Sequence, residues 1–368
     1  MFSGIGLGRK HGEYVGKTLK RTILTGTREA SKNSQTRAKP IDIVIRGRMR
    51  SVAFLVDGKH FVGGGAAGGI HRWRVEDGME VGAPMRVGDT VFDIAVSPDG
   101  KWVAGGTKSG LTVWNAESHS KVTGFKGHRN WVRAVDVSPD ATKVATGSED
   151  KTLCVWSLST GKRLIDPIEH VNSVVAVKFS PDGCLIATAT WGHDSVRVYD
   201  SQNGRLFVEF PVQVNSFLNQ TLAWASDNKQ LFVLSGDGNI HCLDVSTGTT
   251  LPQWPINSSK ESQCIVLARN GTFIAASTRS SVSFWDTTTH KKIDCVIFHT
   301  AIISSMTISS NYDLMTAGGK EITLRNFRDV LPSPYCDDVS ALASELRGRV
   351  GFLITTRFFF ACDRYVVS

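Results

Sequence analysis

The chain is predicted to be an all-β protein: a seven-bladed β-propeller of four-stranded antiparallel blades, closed by an N-terminal strand. Three observations predict this. The first is a period. Related phrases close on Trp73, Trp114, Trp156, Tyr199, Leu243, Trp285 and Arg325, at spacings of 41, 42, 43, 44, 42 and 40 residues. A repeat of roughly 40–45 residues marks an array of blades, each unable to bury its apolar faces without neighbours. The second is the grammar inside each copy, which is four short apolar runs separated by turn residues. The third is Ile41–Arg46 (IDIVIR), β-branched and free of turn residues, lying upstream of the first copy.

The copy from Gly127 to Asp166 shows the grammar in order. WVRAVDV is rich in β-branched residues and reads as a strand. Ser138-Pro139-Asp140-Ala141 follows as a turn, with Pro139 presetting φ and Asp140 bonding nearby backbone. KVATGS is a second strand, Glu149–Lys151 a tight hairpin turn, TLCVWS a third strand, and RLIDPI, after the turn at Gly161, a fourth. The strands are apolar on both faces, as sheets sandwiched between two others require. The seventh copy supplies three strands and is followed by VLPSPY, whose prolines suit a strand poorly. Ile41–Arg46 is therefore expected as the outer strand of the last blade, since an unclosed ring leaves a bare edge.

These limits divide the chain into a basic disordered arm (1–38), the propeller (39–328) and a C-terminal extension (329–368) with a short helix beginning near Asp337. Net charge is +8, but nine of the 42 basic and two of the 34 acidic residues fall in the first 40, leaving 33 basic and 32 acidic elsewhere. The body is near neutral, and the arm alone carries the argument for a nucleic-acid or chromatin-associated role. No run approaches the ~18–20 apolar residues of a membrane helix. The seven cysteines are scattered, odd in number and without a C-x-x-C pair. That argues against a disulfide framework or a zinc site and for a reducing compartment, the cytoplasm or the nucleus.

The repeats resemble the WD40 (Trp-Asp) family, in the style of fungal WD-repeat arrays. Ser-Pro-Asp recurs at Ser97–Asp99, Ser138–Asp140 and Ser180–Asp182, and Trp-Asp stands at Trp285–Asp286. The resemblance implies that His128, Ser148, Asp150 and Trp156 form the family's buried tetrad: Asp150 holds the His128 ring, the ring bonds Ser148, and that hydroxyl meets the Trp156 indole. The trio of His, Ser and Asp also invites a hydrolase reading, but no oxyanion-hole motif accompanies it. His170 and His299 fall in the register of His128 in copies that lack the full set, and read as loop residues. Gly63-x-Gly65-x-x-Gly68 matches a dinucleotide fingerprint, but a strand follows it rather than a helix. It is expected to be a hairpin whose glycines supply positive φ.

No catalytic, cofactor or metal site is expected, and the protein is read as non-enzymatic. The candidate site is a partner-binding top face. By register, Arg48 and Arg50, Phe92, Trp131 and Arg133 enter the first strands of copies one to three, and Glu149 precedes a hairpin turn. The resemblance puts these positions at the mouth of the central channel. Aromatic and arginine residues dominate protein interfaces, and arginine pairs well with carboxylates. The expectation is a protein-interaction scaffold, a monomeric ring within a larger complex, that binds other proteins or acidic peptides. The alternatives are a nucleic-acid factor using the arm and, behind it, a propeller enzyme.

Overall fold

The computed structural model describes residues 40–332 and 335, apart from 126, 193–194, 215–218, 257–261 and 310–312. The basic arm, the helix expected near Asp337 and the rest of the C-terminal tail lie outside the described residues.

The described residues form seven antiparallel sheets. Blade 1 runs Met49–Phe54, His60–Gly65, Gly69–Arg74 and Met85–Arg86. Blade 2 runs Val91–Val96, Trp102–Thr107, Gly110–Asn115 and Lys121–Phe125. Blade 3 runs Val132–Val137, Lys143–Ser148, Thr152–Ser157 and Ile168–Glu169. Blades 4 to 6 begin at Val174, Leu222 and Ser262, and blade 5 carries an extra short strand, Trp254–Pro255. The first strands of successive blades touch, and that of blade 7, Ile303–Ile308, touches that of blade 1, so the sheets form a ring.

Closure follows the sequence expectation. Ile41–Val44 pairs antiparallel with Glu321–Asn326, with Ile43 opposite Ile322 and Thr323 Oγ1 donating to Asp42. Two expected strands differ. RLIDPI reaches the ladder only at Ile168–Glu169 and an isolated bridge from Trp156 to Arg163, because Pro167 has no N–H to donate. Past blade 7 the chain makes a single 3-10 turn, Phe327–Asp329, which drives Phe327 among Phe273 and Phe284. Leu331 is buried beside them, and Tyr335 donates its hydroxyl to Asp286.

The core is not central. It consists of seven apolar seams, each between consecutive blades. One joins Val62, Ile70 and Met85 of blade 1 to Val91, Ile94 and Trp114 of blade 2, and another joins Ile43, Met315 and Ile322 to Met49, Phe61 and Trp73 across the closure. This explains the period. Trp73, Trp114, Trp156, Tyr199, Leu243 and Trp285 occupy one register position, opposite the second residue of the preceding strand, and all are buried. Each closes the seam beside it, which contributes about 1.5–3 kcal/mol for a large side chain.

Polar staples accompany the seams. The first strand of each blade is an edge facing the channel, and its outward N–H groups need acceptors. In blades 1 to 4 the preceding blade supplies them. Ser305 Oγ accepts from Val52 N–H at 3.1 Å, Ser51 Oγ from Ile94 at 3.1 Å, Asp93 from Val135 at 2.8 Å, and Asp136 from Phe179 at 2.8 Å. Burial pushes the Asp93 carboxyl up to about 7, against the pull of those donors and of Lys178.

Candidate interaction site on the ring face

The site is built on a recurring backbone irregularity. In five blades the first strand carries a one-residue bulge against the second, with Arg50, Phe92, Arg133, Val175 and Ser304 as the residues left out of the ladder. A bulged residue is re-aimed relative to its strand. Here the bulges sit where the first strands begin, on the face that also carries the turns between second and third strands. Gly65 belongs to this construction. It lies in a strand, not the expected turn, and a Cβ there would collide with the Arg48 carbonyl oxygen. Only Gly68 of that motif has positive φ, 75°. Gly65 thus serves a close backbone approach, and the motif runs from a strand through a turn into the next strand, with no helix after it.

The bulges of blades 1 to 3 bring their side chains into one layered cluster. Phe92 and Trp131 stack with centroids 5.3 Å apart and planes 18° from parallel. The Arg50 guanidinium lies 5.1 Å from the Phe92 centroid, and Arg133 lies 4.4 Å from Phe92 and 5.0 Å from Trp131. Lys108 Nζ lies 4.9 Å from Trp131. Each such contact is worth about 0.5–1 kcal/mol when exposed and about 2 when desolvated.

This geometry corrects the expectation for two residues. Phe92 is only 6% exposed, so it is a platform under the cations and not a surface anchor. Arg133 is committed: its Nε donates to Glu149 Oε1 at 2.7 Å and a second N–H of the guanidinium reaches the same oxygen. Their side chains are 13% and 21% exposed. Trp131 and Arg50 are half-buried, and Arg48 is exposed. Arg50 Nε is enclosed without a hydrogen-bond partner. Burial, then Arg48, then Arg133 lower its pKa. Lys108 was missed. It follows Thr107 as Glu149 follows Ser148, so the register that singled out Glu149 also marks it. Trp191 follows Thr190 in the same way and is 42% exposed.

Beside the cluster, blade 3 holds a buried polar network. His128 Nδ1 meets Asp150 Oδ2 at 2.9 Å, and the His128 side chain is 1% exposed. The hydroxyl at its centre is Thr146, not Ser148. Thr146 Oγ1 lies 2.7 Å from His128 Nε2 and accepts the Trp156 indole N–H at 2.8 Å. Side chains alternate along a strand, and Thr146 shares a face with Ser148 but lies two residues deeper, level with the indole. Ser148 instead ties the turn, donating to the Asn130 carbonyl and accepting from Asp150 N–H. Burial opposes charge on His128, but Asp150 and the Cys154 sulfur outweigh it and raise its pKa to about 9. The partners also lower the Asp150 pKa against its own burial. A protonated ring fits the bonds: both N–H groups donate, to Asp150 and to Thr146.

The network positions the rim. Asp150 Oδ2 also accepts Arg129 N–H at 2.8 Å, and Glu149 N–H donates to the Trp131 carbonyl at 2.9 Å. The loop carrying Trp131 and the turn carrying Glu149 are thus clamped together. Blade 4 keeps a partial copy. His170 is 7% exposed and its Nε2 lies 3.1 Å from both Thr188 Oγ1 and the Tyr199 hydroxyl, so it is a core residue and not the expected loop residue. Gly192 stands where blade 3 has Asp150. His299 is buried as well. Among the described residues no group of His, Cys, Asp and Glu is placed to hold a metal ion.

Comparison with known proteins agrees with this construction. The family model "WD domain, G-beta repeat" matches residues 84–115, 119–157 and 162–200. Each match joins the outer strand of one blade to three strands of the next, the interlock seen at the closure. The chain is 30% identical over 149 residues to small ribosomal subunit protein RACK1y of Oryza sativa subsp. japonica, covering 39% of this chain and 44% of that protein. It is 30% identical over 124 residues to protein groucho of Drosophila melanogaster, covering 32% and 16%. It is 29% identical over 140 residues to transducin-like enhancer protein 2 of Mus musculus, covering 36% and 18%. The chain thus spans less than half the length of each of these relatives. Propellers of this kind are typically non-catalytic interaction scaffolds. Three repeats match the WD40 family model directly and seven blades close into one ring, so the chain is a seven-bladed β-propeller that carries WD40 repeats.

Proposed function

We propose that the protein is a non-catalytic interaction scaffold that docks an acidic segment of a partner protein on the rim of blades 1 to 3. One observation carries the reading: a Trp131–Phe92 stack bordered by Arg50 and Lys108, neither of which has a carboxylate partner among the described residues. The stack is held by the bulges beneath it and by the Asp150 clamp beside it, so its groups are ordered before a partner arrives. Preorganisation of this kind lowers the entropic cost of binding. The five described cysteines are free, which suits the cytoplasm or nucleus as the working compartment.

The test uses fluorescein-labelled Asp/Glu-rich degenerate peptides and their Lys-rich counterparts, read by anisotropy. The acidic pool is expected to bind the wild type more tightly than the basic pool, with affinity falling as salt rises. The double variant Arg50→Ala/Trp131→Ala is expected to melt as a folded ring and to lose about thirtyfold or more in affinity, the usual effect of a lost hot spot. Equal binding by wild type and double variant would remove the rim from consideration.

A further inference from the structure

Blades 1, 3 and 5 share a break in their outer strands, and each break is covered differently. Pro84 and Pro167 stand at the same register, eleven residues past the anchors Trp73 and Trp156, and blade 5 carries Pro252 and Pro255. A proline cannot donate to the ladder, so the outer strand shortens there to Met85–Arg86, to Ile168–Glu169, and to Thr249–Thr250 with Trp254–Pro255. The turn between third and fourth strands of the next blade packs against each break, at the strand ends away from the bulged rim. Its last residue lies five past the anchor and holds positive φ: His119 at 57° in blade 2, Gly204 at 72° in blade 4 and His290 at 61° in blade 6. In blade 1 the His119 ring covers the break, its Nδ1–H donating to the Ala83 carbonyl at 2.6 Å. In blade 5 Trp254 fills the break and His290 stacks on it, with centroids 4.5 Å apart. Between blades 3 and 4 the residue is Gly204, which brings no ring, and an open groove of about 590 Å³ runs along 163–168 and 203–204. We propose that this groove is a second docking site, separate from the rim of blades 1 to 3, and that it takes a tryptophan side chain of a partner protein.

The floor is the first argument. Leu164 is 48% exposed, and Ile165, Pro167 and Ile168 are half-buried. Ile165 stands where blade 1 has Gly82, and Ile165 and Ile168 each bring a Cδ1 to 3.1 Å from the place a Cβ on Gly204 would take. Their methyl groups make the floor aliphatic, so a ring that covers this break lies on the isoleucines and comes from outside the chain. The second argument is the acceptor. The Ala83 carbonyl that receives the His119 ring N–H corresponds by register to the carbonyl of Asp166, ten residues past its own anchor. Among the described residues nothing donates to Asp166, at either its carbonyl or its carboxylate. The third is a cation. Arg163 is exposed and has no carboxylate partner among the described residues, which leaves its guanidinium available to lie over a bound ring. Indole meets all three requirements. It has a large apolar face, a single N–H, and the strongest attraction of any aromatic side chain for a cation. A phenyl ring has no donor, and imidazole gives up apolar contact on this floor.

The experiment titrates the full chain with the capped tripeptide acetyl-Gly-Trp-Gly-amide and with its Phe and His counterparts, read by ligand-detected NMR. The tryptophan peptide is expected to bind about fivefold more tightly than the phenylalanine peptide, the effect of one hydrogen bond, and the histidine peptide is expected to bind least. Leu164→Asp puts a charge on the floor at an exposed position. It is expected to weaken the tryptophan peptide by about tenfold or more and to leave the melting temperature unchanged. Gly204→His places a ring in the groove from within, at a positive φ that His119 and His290 already hold, and is expected to displace the peptide. Where that variant melts early, Leu164→Asp alone decides. Arg50→Ala/Trp131→Ala alters the rim at the other strand ends and is expected to bind the tryptophan peptide as the wild type does, so this site and the rim are tested separately. Equal binding of the tryptophan and phenylalanine peptides, or preference for the histidine peptide, would overturn the indole assignment. Unchanged binding by Leu164→Asp, or loss of binding in the rim double variant, would overturn the groove itself.

Discussion

Replacing Thr146 with valine removes one oxygen from a fully buried site. Thr146 is fully buried, and its hydroxyl serves both the Trp156 indole N–H at 2.8 Å and His128 Nε2 at 2.7 Å. Valine has nearly the same shape, so the seam between blades stays filled and the loss is polar. Two buried groups lose their partner at about 1–3 kcal/mol each, giving roughly 2–6 kcal/mol in all. Ser148→Ala, two residues away, is expected to cost about 1 kcal/mol, because the Asn130 carbonyl it serves lies in an exposed loop. A double-mutant cycle separates the two. Trp156→Phe deletes the orphaned donor, so Thr146→Val and Trp156→Phe together should cost less than their sum by at least about 1 kcal/mol. Ser148→Ala and Trp156→Phe share no partner and should add within about 0.5 kcal/mol. The assay is urea denaturation followed by circular dichroism and tryptophan fluorescence, with coincident transitions required. Coupling of Trp156 to Ser148, and none to Thr146, would refute the network described here.

Three further outcomes are expected. His128 has its pKa raised to about 9, so its contribution is present in full below about pH 6.5, the unfolded value, and is lost as pH rises through 9. With Asp150 shifted the other way, the pair should stabilise most between about pH 4 and 6.5, and some 3 kcal/mol should vanish from wild type but not from His128→Gln between pH 6 and 10, read by denaturation at each pH. Ala141 holds φ at 55° in a turn where Gly100 and Gly183 stand in the neighbouring blades, so Ala141→Gly should raise stability by about 0.5–1 kcal/mol, checked by thermal melting. Deletion through Gly47 removes Ile41–Val44 from blade 7 and should abolish the cooperative melt, whereas deletion of 1–39 should preserve it, since the described contacts of that blade begin at Ile41.

The ring was legible from the chain alone, because its signal is local and repeated. Trp114, Trp156 and Trp285 recur at one spacing since each must fill the same seam, and Ser-Pro-Asp recurs because each turn closes the same way, with Ser97, Ser138 and Ser180 donating to Asp99, Asp140 and Asp182. Even the closure showed, as Ile41–Val44 has no other sheet to join. The site was legible only as a set of register positions. Arg50, Phe92 and Arg133 were singled out together, but which of them faces a partner depends on neighbours 42 and 41 residues apart in sequence. The stack buried Phe92, and Glu149 claimed Arg133. Lys108 stands at the register position that marked Glu149, and its place over Trp131 comes from the folded rim. The same holds inside blade 3. Thr146 and Ser148 are both hydroxyls on one face of one strand, and no sequence rule chooses between them. The depth of the indole in the seam decides, because a hydrogen bond needs its atoms within about 3 Å. Periodicity records what every blade requires, and tertiary packing decides what one blade does that the others do not.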